Sequence, residues 1–293
     1  MAEAKIGIIG GSGLGDVLCA EAEGESVTVD TPFGSPSDAV AQVEWSGLPV
    51  AVLNRHGRGH LIPPSKVNYR ANIFALKKLG CTHVIASGAV GSLRQEIKPK
   101  DLVVPDQVID KTCRREATFF DEFFAAHVEF AAPFCPVLRK HLLGCAEAVA
   151  ATVHDGGTYV CMEGPAFSSR AESHMHRAWG GDLIGMTVMP EAKLAREAEM
   201  AYAMVCLPSD YDCWMPHPNE LDKHELLKEI ISNLTEATGN AAGLIKAAIK
   251  RFGEIATVAS PAHGAMELAI WSDKKMISPA AREHLGVLVE KYL

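Results

Sequence analysis

Aromatic residues and positive charge are both scarce in this chain. Phe, Trp and Tyr make up only 6% of its 293 residues, and 28 Lys and Arg stand against 36 Asp and Glu, which gives a formal net charge of −8. Proteins that bind single-stranded nucleic acid combine aromatic platforms with a positively charged groove. The composition therefore argues against a nucleic-acid partner, although an acidic chain can still bind an anion locally.

Long apolar runs and paired cysteine motifs are also missing. No uncharged run approaches the roughly 18 residues of a membrane span. The N-terminal sequence MAEAKIGIIGGSG has the features of neither a secretion signal nor a transit peptide. The eight cysteines include no C-x-x-C pair. We therefore expect reduced and mostly buried thiols, no metal site, no membrane partner and a cytoplasmic location.

The chain does contain short apolar runs that alternate with helical patterns. The apolar runs predict strands at residues 5–9, 27–29, 40–45, 50–53, 82–86, 102–109, 158–162, 182–186 and 202–207. Three- and four-residue spacing predicts helices at 68–79, 136–149, 168–179, 191–199, from 221 onward, 263–271 and 279–291. This alternation predicts one α/β domain with helices packed around a largely parallel sheet. The aromatic-rich segment 113–134 is predicted to be an irregular flap.

Groups suited to binding phosphate follow three of the predicted strands. The glycine turn at 10–13 exposes backbone N–H groups and adds the Ser12 hydroxyl. Arg55 can hold phosphate with a two-pronged hydrogen bond, and His56 can add a donor. The small-residue run at 87–92 follows a third strand. Because ligands gather at the carboxyl ends of parallel strands, the three segments together predict an oxyanion site. A plain turn or a solvated loop stays an open interpretation of each segment taken alone.

Three further strand ends have side chains suited to a nucleobase or a sugar. Phe167 can stack on a flat heterocycle, and Ser168 can cap the helix that follows. Residues 186–187 also follow a strand. Asp210 and Asp212 can hydrogen-bond a base and deliver a proton to a leaving group. The two aspartates could also bind a metal ion, but the sequence offers no further ligands to complete such a site. The interpretation that they belong to an ordinary Asp-rich turn stays open.

Seven stretches together resemble the methylthioadenosine phosphorylases, within the trimeric purine nucleoside phosphorylase family. They are IGIIGGSGL at 6–14, DTPFGSPSDA at 30–39, RHGRGH at 55–60, PSKVNYRANI at 64–73, EGPAFSSRAES at 163–173, MTVMPEAKLAREAEM at 186–200 and SDYDCW at 209–214. The resemblance implies a single nucleoside phosphorylase domain over residues 1–293, with a mixed, partly closed sheet flanked by helices, and a homotrimer. It also implies phosphorolysis of S-methyl-5′-thioadenosine to adenine and 5-methylthioribose 1-phosphate, without a metal or organic cofactor.

The same resemblance implies roles for individual residues. The expected phosphate contacts are Ser12, Arg55, His56, Ala89 and Thr187, with Gly88 where the family often has a Thr hydroxyl. The expected nucleoside contacts are Phe167, Ser168, Met186, Asp210, Tyr211, Asp212, His127 in the flap, and Lys223 near the 5′ substituent. The expected catalytic residues are Asp212, Asp210 and His56. The chain departs from the family's usual residues at Gly88, Ala166 and Lys223.

Two other functions stay open at this point. A carboxylate at the base site accepts a hydrogen bond from an N6 amino group, so Asp210 favours a 6-aminopurine. A phosphorylase for 6-oxopurine nucleosides or methylthioinosine is the alternative within the family. A non-catalytic nucleotide-binding protein is the alternative outside it, but such a protein has no need of Arg55, His56 and Asp212 together.

Overall fold

The computed structural model describes residues 4–11, 13–19, 24–216 and 222–293, and eleven strands in this part form one sheet. The strands are β1 Ile6–Gly10, β2 Gly24–Val27, β3 Val40–Trp45, β4 Leu48–Asn54, β5 His83–Ser92, β6 Leu102–Val104, β7 Gln107–Asp110, β8 Val153–Asp155, β9 Thr158–Cys161, β10 Leu183–Gly185 and β11 Ala201–Asp210. The α-helices are α1 Leu14–Cys19, α2 Tyr69–Lys78, α3 Pro136–Leu143, α4 Arg170–Ala178, α5 Val188–Glu197, α6 Lys223–Lys250 and α7 Pro279–Leu285.

The sheet is mixed and branches at its central strand. Its main path runs β2-β3-β4-β1-β5-β10-β9-β7, and β11 leaves this path by pairing with both β5 and β6. The pairs β4–β1, β1–β5 and β5–β11 are parallel, whereas β5–β10 and the β2–β3–β4 pairs are antiparallel. The carboxyl ends of four parallel strands therefore meet at one edge. The predicted α/β fold with a mixed sheet flanked by helices is confirmed.

The central strands are buried on both faces, which explains why they read as continuous apolar runs. Alternate residues belong to two different core clusters, so that Ile9 lies in one cluster and Ile8 in the other. Helices α2 and α5 pack on the first face, and α3 and α6 pack on the second. None of the helices in the described ranges is long and apolar enough to cross a bilayer.

Four local predictions need correction. The predicted strand 102–109 is two strands, β6 and β7, because Pro105 has no N–H to continue a ladder. The predicted helix 136–149 ends at Leu143 before Gly144. The predicted helix 263–271 contains only the short 3₁₀ turn Pro261–Gly264, since Leu268 and Trp271 are exposed and do not share a buried stripe. The predicted strand 27–29 overlaps β2 only at Val27, and helix α1 and strand β8 were not predicted.

Two helix starts show how local hydrogen bonds set the boundaries. Ser169, not the expected Ser168, caps α4, and Glu172 completes a reciprocal capping box with it. The Asp222 side chain accepts hydrogen bonds from backbone N–H groups in the first turn of α6. The Glu225 side chain accepts from the Asp222 backbone N–H, which completes a second capping box. The long helix expected from 221 onward is confirmed from Lys223, and residue 221 itself lies outside the described residues.

Candidate active site

One cavity of about 630 Å³ lies at the edge where the parallel strands end, a volume typical of small-molecule sites. Among the residues predicted from the sequence, the cavity is lined by Arg55, His56, Gly88, Ala89, Phe167, Ser168, Met186, Thr187, Asp210 and Asp212. Tyr211, His127 and Lys223 do not line it. Ser12 lies outside the described residues, so its expected phosphate contact stays a prediction.

Strand β5 runs along the cavity, so that its residues lie beside different parts of the site. A Cβ atom on Gly88 would lie 3.2 Å from the Thr187 hydroxyl, whereas a Cβ on Gly91 would lie 3.2 Å from Asp210 Oδ1. Three residues of strand separate the two glycines, which corresponds to about 10 Å. The groups expected to bind phosphate and the two aspartates therefore occupy different ends of the same cavity.

Arg55 is held by a carboxylate that the sequence reasoning missed. Its side chain and that of Glu191 are both fully buried. Nε and Nη2 of Arg55 donate to the two carboxylate oxygens of Glu191 at 2.7 and 2.8 Å, and Nη1 donates to the Ser87 carbonyl at 2.7 Å. Tyr202 Oη donates to Glu191 as well, at 2.8 Å. Three of the five N–H donors of Arg55 are thus used within the protein, and the remaining ones, on Nη1 and Nη2, are left for an anion, so the expected two-pronged contact stays a prediction.

The glycine turn approaches this guanidinium closely. A Cβ atom on Gly11 would lie 2.5 Å from Arg55 Nη1, so any larger residue would collide with it. The Gly11 N–H donates to Ser87 Oγ at 3.3 Å, which ties the turn to β5. Nearby, the Thr187 hydroxyl is buried and has no hydrogen-bond partner in the part of the chain that the structure covers. This end of the cavity therefore holds an unused polar group beside Arg55.

The orientation of His56 differs from the expected one. Its Nδ1 lies 2.8 Å from the Ile62 carbonyl oxygen. A carbonyl only accepts, so Nδ1 carries the hydrogen, and Nε2 of the neutral ring is an acceptor. Burial, followed by the Arg55 charge, lowers the pKa of His56 to about 4. At neutral pH His56 is therefore an acceptor toward the cavity rather than the expected donor.

Asp210 and Asp212 both line the cavity, on either side of a backbone turn. Asp212 has φ 50°, in the left-handed region, and its N–H donates to Asp210 Oδ1 at 2.7 Å. Ser209 Oγ also donates to Asp210, at 2.8 Å. The Oδ2 atom of Asp212 is buried without a hydrogen-bond partner among the residues described. Burial raises the pKa of both carboxyl groups, and it is the main cause in each.

Tyr211 anchors this turn instead of lining the cavity. Its hydroxyl donates to the Gln95 carbonyl at 3.3 Å, and Trp214 Nε1 donates to the Ser92 carbonyl at 2.9 Å. Arg177 covers the Trp214 ring, with its guanidinium carbon 3.5 Å from the ring centroid. Both aromatic side chains thus fasten the aspartate turn to the end of β5. Tyr211 therefore has an anchoring contact in this structure, and its expected substrate contact stays a prediction.

An apolar wall on α6 replaces the expected Lys223. The exposed Lys223 is the first residue of the helix, about one turn before the cavity begins. The helix residues that line the cavity are Leu226, Leu227, Ile230 and Leu234. Their spacing places them along one helix face. The apolar periodicity of the sequence predicted this helix. It did not indicate that the first turns of the helix would line the cavity.

The comparisons with known proteins agree with this geometry. A family model described as Phosphorylase superfamily matches residues 5–250. The chain belongs to the phosphorylase superfamily. Its curated relatives include the S-methyl-5′-thioadenosine phosphorylases of Synechocystis sp. (strain PCC 6803 / GT-S), 47% identical with 100% of this chain and 89% of the relative covered, and of Thermosynechococcus vestitus (strain NIES-2133 / IAM M-273 / BP-1), 47% identical with 99% of each covered.

Solved structures are similar over most of the chain as well. A methylthioadenosine phosphorylase sourced from an antarctic soil metagenomic library has a TM-score of 0.87 and 43% identity, with 99% of this chain and 100% of that chain covered. The methylthioadenosine phosphorylase from Schistosoma mansoni in complex with adenine has a TM-score of 0.79 and 37% identity, covering 86% of this chain and 93% of that chain. The resemblance found in the sequence motifs is confirmed. The boundaries of a single domain over residues 1–293 stay a prediction.

Arg115 is a second residue of this superfamily member that the sequence reasoning missed. Its side chain is 2% exposed and pairs with the Glu163 carboxylate at 3.0 Å. It also donates to the carbonyls of Met162, Glu163, Met186 and Met189. These carbonyls belong to the segments after β9 and β10 that present Phe167 and Met186 to the cavity. Arg115 therefore joins the flap to both segments.

His127 lies in the flap beside a second cavity. That cavity is lined by flap residues and by Glu197, whose pKa burial raises to about 7. The N–H of His127 donates to the Ala269 carbonyl at 2.9 Å, and its ring packs edge-on against Trp271. The expected irregular flap is confirmed, but His127 does not reach the active-site cavity of its own chain.

One free cysteine, Cys213, lines the active-site cavity. The seven cysteines for which side chains are described are all free thiols, five of them buried. No group of three or more His, Cys, Asp or Glu side chains in the described ranges could hold a metal ion.

Proposed function

We propose that this chain catalyses the phosphorolysis of S-methyl-5′-thioadenosine, producing adenine and 5-methylthioribose 1-phosphate for purine and methionine salvage. The observation that supports this most directly is one cavity with Arg55 and His56 at one end, Asp210 and Asp212 at the other, and an apolar wall on α6. The names of the relatives agree with the same reaction. Phosphate is the co-substrate, and neither a metal nor an organic cofactor takes part.

The reaction forms a bond between a phosphate oxygen and C1′ of the ribose and breaks the bond between C1′ and the purine. Positive charge develops on the sugar and negative charge on the purine. Phosphate held beside Arg55 Nη1 and Thr187 stabilises the first and is placed for attack. A proton from Asp212 neutralises the second, and the raised pKa of this carboxyl group favours its protonated form.

Recognition of the nucleoside follows from the same cavity. Asp210 accepts from the N6 amino group of adenine. Phe167 and Ser168 lie on the base side, and Met186 lies under the ribose. The leucines and isoleucine on α6 accommodate the apolar methylthio group and offer no partner to a 5′ hydroxyl, which selects against adenosine by leaving that hydroxyl unpaired.

A homotrimer is part of the proposal. The flap phenylalanines Phe119 and Phe120 do not support it, because both are buried in the core of their own chain. The support comes instead from Leu268, Trp271 and Met276, which are exposed. A neighbouring copy that covers these side chains brings His127 toward a 5′ substituent. A cytoplasmic location and the absence of nucleic-acid and membrane partners are parts of the same proposal.

A nucleoside panel tests the reaction. Methylthioadenosine, adenosine, inosine and methylthioinosine are incubated with and without phosphate, and free base is measured. We expect the fastest base release from methylthioadenosine, and only with phosphate. Faster hypoxanthine release favours the 6-oxopurine alternative, and no phosphate-dependent release favours a non-catalytic binding protein. Light scattering that gives the mass of one 31.4 kDa chain would exclude the trimer.

A further inference from the structure

The anion end of the cavity has no net formal charge, which is unusual for a site that receives a dianion. Glu191 neutralises Arg55 through two hydrogen bonds inside the core. His56 is neutral at pH 7, because burial and Arg55 lower its pKa to about 4. Selectivity at this end must therefore come from the directions of hydrogen bonds rather than from charge alone.

His56, which lines the cavity, has an acceptor with a fixed direction in Nε2. The Ile62 carbonyl holds the hydrogen of the ring on Nδ1 at 2.8 Å, so that the lone pair of Nε2 is left for the cavity. The His60 ring stacks on His56 with centroids 4.3 Å apart, which keeps the ring from turning. An anion that enters here meets a lone pair where a donor was expected.

We propose that the site selects oxyanions that bring their own proton, so that hydrogenphosphate donates its P–O–H group to Nε2 of His56 while sulfate is disfavoured. This inference rests on the proposed function, since it takes phosphate as the co-substrate, and it names the ionic form that binds. Sulfate has no proton near neutral pH, so one of its oxygens faces the lone pair of Nε2 directly. The other three oxygens of hydrogenphosphate carry no proton and stay free to attack C1′.

Proton balance distinguishes the two anions. The phosphate hydroxyl supplies the hydrogen between oxygen and Nε2, so its binding takes up no proton from solvent. Sulfate binds well only if His56 first takes a proton from solvent. Three groups around the His56 ring affect its protonation. The Arg55 charge and the stacked His60 oppose protonation of His56, and the Ile62 carbonyl favours it. Sulfate affinity should therefore fall about tenfold per pH unit above the pKa of His56.

The experiment is calorimetric titration of the full chain, without nucleoside, by phosphate, arsenate and sulfate between pH 6 and 8. Repeating each titration in two buffers of different ionisation enthalpy gives the number of protons taken up. We expect phosphate and arsenate to bind at pH 8 without proton uptake. Sulfate should bind more weakly than phosphate and take up about one proton, and its affinity should fall about a hundredfold from pH 6 to pH 8.

His56→Asn tests the assignment to this ring. Asn keeps an N–H where Nδ1 lies, for the Ile62 carbonyl, and has no atom where Nε2 lies. The preference for phosphate over sulfate should then fall toward one. His174→Asn is the matched control, because this exposed ring on α4 does not line the cavity, and it should keep the preference.

Equal wild-type affinities for the two anions without proton uptake, or an unchanged preference in His56→Asn, would overturn the inference. The wild-type proton count stands even if the variant does not fold. Absence of phosphate binding together with absence of phosphorolysis would instead overturn the proposed function. Phosphorolysis with no discrimination against sulfate would leave that function intact and overturn this inference alone.

Discussion

Replacing Glu191 by Gln removes the charge behind the phosphate end of the cavity while keeping the shape of the side chain. Arg55 and Glu191 are both fully buried, so the substitution leaves a guanidinium in the core with no carboxylate opposite it. Breaking a buried pair in this way costs about 3–5 kcal/mol. For a chain of this size the melting temperature should fall by roughly 10 °C.

The same substitution should tighten phosphate binding. Without Glu191 the anion end has a net charge of +1 from Arg55, so KM for phosphate should fall even as stability falls. Phosphate at about a hundred times its Kd should then restore roughly 2.7 kcal/mol of the lost stability. Thermal unfolding with and without phosphate, together with initial rates over a range of phosphate concentrations, measures both effects.

Glu197→Gln is the matched control for these measurements. Glu197 also lies on α5 and is also buried, but it makes no ion pair in the described part of the chain. Its replacement should change KM for phosphate little. An unchanged melting temperature for Glu191→Gln, or a higher KM for phosphate, would refute the view that Glu191 both holds Arg55 and neutralises it.

Four further predictions follow from the same geometry. Asp212→Asn should lower turnover about 10²–10⁴-fold with little change in nucleoside KM, since Asn cannot transfer a proton; near-native turnover in steady-state assays would place the acid elsewhere. Asp210→Asn should raise kcat/KM for methylthioinosine relative to methylthioadenosine, because an amide can donate to O6. The pKa of Glu197 rises from 4.5 to about 7 on folding, so the wild type should lose about 3 kcal/mol of stability as pH rises through this window. Glu197→Gln should lack this loss in urea unfolding at pH 5 and pH 8. Arg115→Lys should raise KM for the nucleoside more than KM for phosphate, since its fork joins the segments that present Phe167 and Met186; equal rises would indicate a general structural defect.

The strand ends that form the active site could be predicted from the sequence. Apolar runs followed by glycine, Arg55-His56 or Asp210 mark places where a buried parallel strand leaves the core, and such ends gather at one edge. This is why ten of the predicted residues line one cavity. The order of apolar and polar residues located these strand ends, and the family resemblance implied the contacts of single residues such as Ala89, Met186 and Thr187.

The missed residues depend on contacts between distant segments. Glu191 meets Arg55 across 136 positions of sequence, and Arg115 reaches Met186 across 71. Neither residue type nor spacing indicates such a partner. The tautomer of His56 depends in the same way on the Ile62 carbonyl, which a side-chain pattern does not reveal.

Helix periodicity tells which residues share a face but not what the face covers. The pattern on α6 predicted the helix, yet Lys223 was expected where Leu226 and Leu227 lie. The resemblance implied a substrate contact for Tyr211, whereas the Tyr211 hydroxyl donates to the Gln95 carbonyl, and the residue that follows, Asp212, has a left-handed backbone. Backbone reversals of this kind are set by the tertiary packing around the turn.

The two ends of helix α6 have different surroundings. Its second half packs Leu244 and Ile245 into the core, whereas Leu226 and Leu227 in its first turns stay partly open to solvent beside the cavity. The helix is 28 residues long, or about 42 Å, so these two regions share no neighbours. Substitutions in the first turns can therefore reshape the pocket for the 5′ group without disturbing the folded core, and nucleoside preference can diverge among relatives at little expense in stability.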